Sequence, residues 1–161
     1  MAGKWEVRKE NDIRRGEEIL LMRQWQIKAS AADTYGKRTS DAICPQLREW
    51  LTRKHGELTY RSTQLLTGHG CLNTFLYRIG KEDSPACLLC DSAEHTVQRC
   101  DKFTDERSVL IRSIGADLTF PAIIKQMCQN KDKWQAFIHF AETIMRVKEE
   151  EERKREQANL T

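Results

Sequence analysis

Between Cys87 and Cys100 the chain carries four side chains whose types and spacing imply one definite chemistry. Cys87 and Cys90 form a two-residue clip, His95 follows after a short loop, and Cys100 closes the set as C-x2-C-x4-H-x4-C. Three thiolates and one imidazole complete the tetrahedral shell of zinc, a borderline-soft ion that accepts both donor types. Four protein ligands leave no position for a substrate or an activated water, so the expected site is structural, with Zn2+ as a staple. The competing reading is a CxxC redox pair or a chance cluster. It is disfavoured because no strand–turn–helix pattern of the thioredoxin kind surrounds the cysteines.

Other chemistry is scarce. A polymerase holds two magnesium ions about 3.5–4 Å apart on paired aspartates, and no Asp-Asp occurs in the chain. Neither a glycine-rich phosphate loop nor a nucleophile elbow is present, so the chain alone is expected not to be an enzyme. Nucleic-acid binding is possible on charge. Residues 1–80 hold 14 Lys and Arg against 9 Asp and Glu, whereas residues 81–161 hold 13 against 15. The cations best placed to meet phosphates are Arg14, Arg15, Arg23 and Lys28, then Arg48, Arg53 and Lys54; the plainer reading of each is a solvated helix face. No apolar run reaches the roughly 18–20 residues of a membrane span, and the N-terminus lacks the apolar centre of a secretory signal. An intracellular protein, nuclear or cytoplasmic, with no membrane partner is expected. In that reducing setting Cys44, Cys71 and Cys128 read as small buried hydrophobes rather than disulfide partners.

The elements that must position these residues read as helices throughout: an irregular all-α domain with a small zinc-binding insert. A helix is expected over about 12–34, with Ile19, Leu20, Met22, Trp25 and Ile27 forming an imperfect stripe. A loop follows over 36–46, with Ser40 or Asp41 capping a helix over 45–54 that aligns Leu47, Trp50 and Leu51. His55 falls at its end, where the helix dipole favours positive charge. Short helices follow from Thr59 to the Gly68-His69-Gly70 interruption and over 72–79, the latter facing inward through Phe75, Leu76 and Ile79. His69 reads as a packing or turn-stabilising residue in preference to a nucleic-acid contact. After the metal segment, Thr104 is expected to cap a helix to Ile114 that buries Val109, Leu110 and Ile114, and Thr119 one to about Cys128. Asn130 opens the last helix, in which Trp134, Phe137, Ile138, Ala141, Ile144, Met145 and Val147 recur at three and four. Beyond Lys148 the stripe stops, which predicts a solvated tail held by Glu149–Arg153 and Glu151–Arg155 pairs. The segments are 1–84, 85–103 for the metal site, and 104–161.

Several stretches also carry a resemblance: Trp25-Gln26, LREWLTRKHGELTY from Leu47, TQLLTGHG from Thr63, FLYRIG from Phe75, the CLLC…EHTVQRC cluster, and Trp134 after it. Together they resemble the segment that follows the polymerase core in non-LTR, LINE-type retrotransposon reverse transcriptases, over about four fifths of the chain. The resemblance implies a zinc-knuckle region that helps a reverse transcriptase hold its RNA template and target DNA, with RNA or DNA and the polymerase core as partners. It marks the TGHG turn as a family feature without giving His69 a reaction. Retroviral knuckles of this spacing carry a glycine before the histidine and an aromatic after the first cysteine, where this chain has Glu94 and Leu88. The knuckle is therefore not expected to stack on bases itself. A zinc-stapled protein-interaction module is the rival expectation, and a truncated element copy without selected function the third.

Overall fold

The computed structural model describes residues 3–29, 31, 36–82 and 92–159. Among them all regular structure is helical: α1 Gly3–Ala29, α2 Lys37–Ile43, α3 Leu47–Thr52, α4 Tyr60–Thr67, α5 Asn73–Arg78, α6 Ala93–Gln98, α7 Thr104–Ile114, α8 Phe120–Gln129 and α9 Lys131–Asn159, with 3-10 turns at Cys44–Gln46 and Asp101–Phe103. None of the described helices is long and apolar enough to cross a membrane.

The first half of α9 organises the fold, with α4, α7 and α8 packed along it. Its start is fixed by Asn130, whose side-chain oxygen accepts the Lys133 N–H at 3.0 Å. Its three- and four-residue stripe then buries Trp134, Phe137, Ala141, Ile144 and Met145 completely. Opposite lie Ile123, Ile124 and Met127 of α8, also wholly buried, and Leu65 of α4. Each such side chain contributes about 1.5–3 kcal/mol through burial. Helix α4 is set by a reciprocal cap: Thr59 Oγ1 accepts the Ser62 N–H at 3.2 Å, and Ser62 Oγ accepts the Thr59 N–H at 2.8 Å. It ends at Gly68, in the left-handed region at φ +74, where the His69 N–H returns to the Gln64 carbonyl at 3.0 Å. That six-to-one bond is the Schellman ending that glycine permits.

Several expectations are corrected. The first helix runs from Gly3 to Ala29 rather than 12–34, and six of its apolar residues face solvent: Ile13, Ile19, Leu20, Leu21, Trp25 and Ile27 are each more than half exposed. The expected loop over 36–46 is α2 followed by the 3-10 turn. Its polar residues tolerate a helix, and the packing of α2 on α8, with Ala42 in the core, decides for one. Ser40 and Asp41 consequently lie inside a helix instead of capping one. Helix α3 is shorter than drawn, and Leu51 faces solvent, as do Ile79 and Val109. Thr104 is the first helical residue rather than the cap, and its hydroxyl donates to the Asp101 carbonyl at 2.8 Å.

The acidic tail is also different. Of its two expected i,i+4 pairs, Glu149–Arg153 forms at the long limit of an ion pair, Glu151–Arg155 is replaced by Arg155–Glu152 at 2.8 Å, and long-range pairs are added. Glu149 receives Arg61 at 2.7 Å, with Arg153 only at 4.0 Å. Arg155 reaches Glu82 at 2.9 Å, Lys81 meets Glu156 at 3.5 Å, and Lys102 binds Glu151. Arg61 also meets Glu142 at 3.0 Å. Glu142 is held below its ordinary pKa, first by the Thr59 hydroxyl and then by Arg61, against a smaller burial effect in the other direction than the hydroxyl's. The tail is thus clasped to α4 and to both flanks of the metal segment.

Candidate metal centre and basic surface

Two of the four proposed ligands, His95 and Cys100, lie at opposite ends of a short, firmly held element. Ser92 is extended and its hydroxyl accepts the His95 N–H at 3.1 Å, which starts α6. At the other end the His95 carbonyl accepts both the Arg99 and Cys100 N–H groups at 2.9 Å, turning the chain back so that Cys100 closes over the turn carrying His95. Ala93, Thr96, Val97 and Cys100 are buried and His95 is half-buried. Ala93, Val97, Cys100 and Phe103 belong to the same apolar cluster as Trp134 and Phe137, so the second half of the segment drawn as a separate insert shares the main core.

Two arginines that sequence reading passed over fasten this element. Arg107 of α7 donates its Nε to the Val97 carbonyl at 2.9 Å and its Nη2 to the Cys100 carbonyl. The Val97 carbonyl lies in the last turn of α6, and the Cys100 carbonyl, which also accepts the Phe103 N–H at 3.2 Å, opens the following 3-10 turn, so one guanidinium fastens the end of α6 to the turn after it. Arg38 of α2 pairs with Glu94, next to His95, at 2.5 Å, and lies over the Phe120 ring at 4.4 Å. Burial lowers the Arg38 pKa and Glu94 acts in the opposite sense. The same guanidinium abuts the TGHG turn: a Cβ on Gly68 would fall 2.2 Å from Arg38 Nη1. Glycine at this position therefore serves both the backbone and the approach of Arg38. The two sequence features, TGHG and the Cys–His cluster, are joined physically through one arginine. His69 itself is exposed, its ring edge-on to Phe75 at 4.8 Å.

Cys87 and Cys90 lie outside the described residues, as do Leu88 and Leu89. Among the described residues no three potential ligands gather. The Cys100 thiol and the His95 imidazole are nevertheless donor types that a tetrahedral zinc site takes, and the Cys87–Cys90 pair would supply the other two.

The basic residues do not form one patch. Arg14, Arg15, Arg23 and Lys28 are exposed along α1, and Arg48 and Lys54 are exposed on and after α3. Helix α1 touches α2 and α3, and Gln26 Nε2 donates to the Cys44 carbonyl at 3.0 Å. The last turns of α1 therefore abut the segment carrying Arg48, while Arg14 sits about 18 Å further along at 1.5 Å per residue. Arg53 is drawn away from solvent. Its guanidinium lies over Trp50 at 4.1 Å and Trp134 at 4.4 Å and donates to the Trp50 carbonyl, with burial lowering its pKa. His55 caps a helix other than its own: its Nε2 lies 3.0 Å from the Met127 carbonyl in the last turn of α8. Cys44, Cys71 and Cys128 are half-buried, and burial raises the pKa of each thiol, which suits packing and not nucleophilic chemistry.

With this geometry in view, one comparison is informative. The chain is 23% identical over 132 residues to a protein of Nasonia vitripennis described as a retrovirus-related Pol polyprotein from type-1 retrotransposable element R1 4. The likeness points to a retrotransposon-related origin. The match takes in 77% of this chain and 32% of the relative, so the chain spans about a third of that protein's length. No family model matches the chain, and no solved structure matches it.

Proposed function

We propose that the chain is a non-catalytic, zinc-stabilised nucleic-acid-binding segment like the post-polymerase region of a non-LTR reverse transcriptase. The observation that carries this reading is the fixed placement of His95 and Cys100 on an element clamped by Arg38 and Arg107, within a chain similar to a retrotransposon Pol polyprotein. His95 and Cys100 would hold the metal from the body side and Cys87 and Cys90 from the other. When bound, the metal supplies a tetrahedral crosslink. The residues around it do the rest: Arg107 and Arg38 orient the ligand element, and the exposed cations of α1 and α3 meet phosphates.

Binding to a short single strand should weaken steeply with salt. Each neutralised phosphate contributes roughly −0.7 to the slope of log K against log salt. Replacing Arg48 by Gln should flatten that slope, whereas Arg53→Gln should act through stability, because Arg53 is committed to two indoles. Wild-type affinity that stays flat between low and moderate salt would remove the reading.

A protein-interaction module is the second reading, and α1 favours it: six large apolar residues on one helix are more than half exposed. The two separate on the salt titration. Under either, no nucleotide should be incorporated when template, primer, nucleotides and magnesium are supplied, because no aspartate pair is present to hold two metals. Incorporation by the purified chain that vanishes on changing an acidic residue would show this to be wrong.

A further inference from the structure

Past Lys148 the last helix keeps its form but loses its packing. Residues 149–159 contain no large apolar side chain, and the last members of the core on α9 are Met145 and, at its edge, Val147. Beneath this tail lies a cavity of about 520 Å³, bounded by Arg61, Phe75 and Lys81 on one side and by Glu149, Glu152 and Glu156 on the other. What holds the tail is therefore charge. Glu149 receives Arg61 at 2.7 Å, Glu156 meets Lys81 at 3.5 Å, Glu151 binds Lys102, and Arg155 reaches Glu82 at 2.9 Å. Lys81 and Glu156 are both more than half exposed, and Glu151 is 42% exposed. Ion pairs open to solvent contribute little singly and are screened by salt, so 149–159 is the part of α9 that opens first.

The cations under the tail differ in what they keep when it lifts. Arg61 retains Glu142 at 3.0 Å and stays tied to the first half of α9. Lys81 and Lys102 have no second acid among the described residues, and Lys102 keeps only the Phe103 ring, 5.7 Å from its ammonium. Lys81 precedes Cys87 by six residues and Lys102 follows Cys100 by two, so the pair flanks the metal segment. In the closed state a carboxylate stands on each lysine where a phosphate oxygen could stand. The tail is tethered and competes at high effective concentration. A nucleic-acid strand answers with counterion release, which the tail's carboxylates cannot match. An acidic peptide would bring only carboxylates again, without that gain.

We propose that residues 149–159 are an internal phosphate mimic: they cover a second nucleic-acid surface centred on Lys81 and Lys102, which a single strand takes over as the end of α9 frays. The inference rests on the nucleic-acid reading above. It adds to that reading a surface beside the metal segment, made of residues other than the cations of α1 and α3, and a latch that restrains it.

The test uses the full chain and a short unstructured oligonucleotide. Glu151→Gln with Glu156→Gln frees the two lysines. Glu150→Gln with Asp105→Asn removes the same charge from acids that are exposed and form no ion pair among the described residues. At low salt the first variant should bind about threefold or more tightly than the second. Its slope of log K against log salt should be steeper than that of wild type by about 1.4, at roughly 0.7 for each phosphate gained. Adding Lys81→Gln and Lys102→Gln should cancel both gains. In wild type, bound strand should speed amide hydrogen exchange over 149–159 and leave the first half of α9 unchanged. That measurement needs no substitution, so it decides even where a variant is destabilised. If no form of the chain binds the strand, the nucleic-acid reading fails and this inference with it. If the chain binds but the two double variants match, the gain outlasts loss of the lysines, or exchange in the tail is unchanged or slowed, the tail is a strut and only the latch is overturned.

Discussion

Purified under reducing conditions, the chain is expected to carry one zinc per molecule, and Cys90→Ser or Cys100→Ser should abolish that stoichiometry. A structural zinc held by thiolates and imidazole contributes apparent binding energy on the order of 10 kcal/mol, larger than any single packing contact in the molecule. Where that energy acts depends on what the body already holds. Helix α6 is fixed without metal by Arg107 on the Val97 and Cys100 carbonyls, by Arg38 on Glu94, and by the complete burial of Val97. A chelator should therefore leave the far-ultraviolet helix signal nearly unchanged. Thiol alkylation should then proceed unevenly: Cys100, only 1% exposed, must wait for α6 to open, so its reaction should lag behind that of Cys87 and Cys90. Metal analysis finding no zinc in fresh protein would remove the site. A collapse of the helix signal on chelation would instead make the metal the support of the whole core.

How much of this was legible beforehand differs by element, for physical reasons. Helices α8 and α9 were readable because Ile123, Ile124 and Met127, and Trp134 through Met145, repeat at the period of a helix with one buried face. The 37–43 segment was not, since its polar residues fit a helix or a turn equally and only the packing of Ala42 against α8 selects one. Helix α1 misled in the other direction. Ile19, Leu20, Leu21 and Trp25 spread around the helix instead of along it, and all remain exposed. At the candidate site, spacing named four ligands but could not name their support. Arg38 lies 56 residues before Glu94 and Arg107 seven after Cys100; neither sits in a motif, and an arginine that ends another helix's carbonyls looks like any surface cation until the fold is known. Arg53 shows the converse: in sequence it reads as a phosphate-facing cation beside Arg48 and Lys54, whereas Trp50 and Trp134 claim its guanidinium.

Replacing Gly56 by Ala should cost about as much stability as removing a large core side chain, roughly 3–4 kcal/mol. Gly56 has φ +83, a region where an L side chain is strained, and its added Cβ would fall 2.2 Å from the Trp134 indole. Trp134 has little room to yield. It is wholly buried, its Nε1 donates to the Glu57 carbonyl at 2.9 Å, Trp50 packs at 5.3 Å between ring centroids, and Arg53 lies over its face. The backbone must therefore move, and with it the turn that carries His55 to the Met127 carbonyl. The melting temperature should drop by about 6–16 °C, at 2–4 °C per kcal/mol for a chain of this size. A double-mutant cycle separates the two causes. Trp134→Ala alone should cost about 3–5 kcal/mol, and in that background Gly56→Ala should cost only the conformational strain, about 1 kcal/mol. Gly16→Ala serves as the control: nothing lies within 4 Å of its added Cβ, and it occupies a helix interior, so it should stabilise α1 by roughly 0.5–1 kcal/mol. An undiminished cost of Gly56→Ala without the indole would assign the whole effect to backbone strain and contradict the close approach of Gly56 to Trp134.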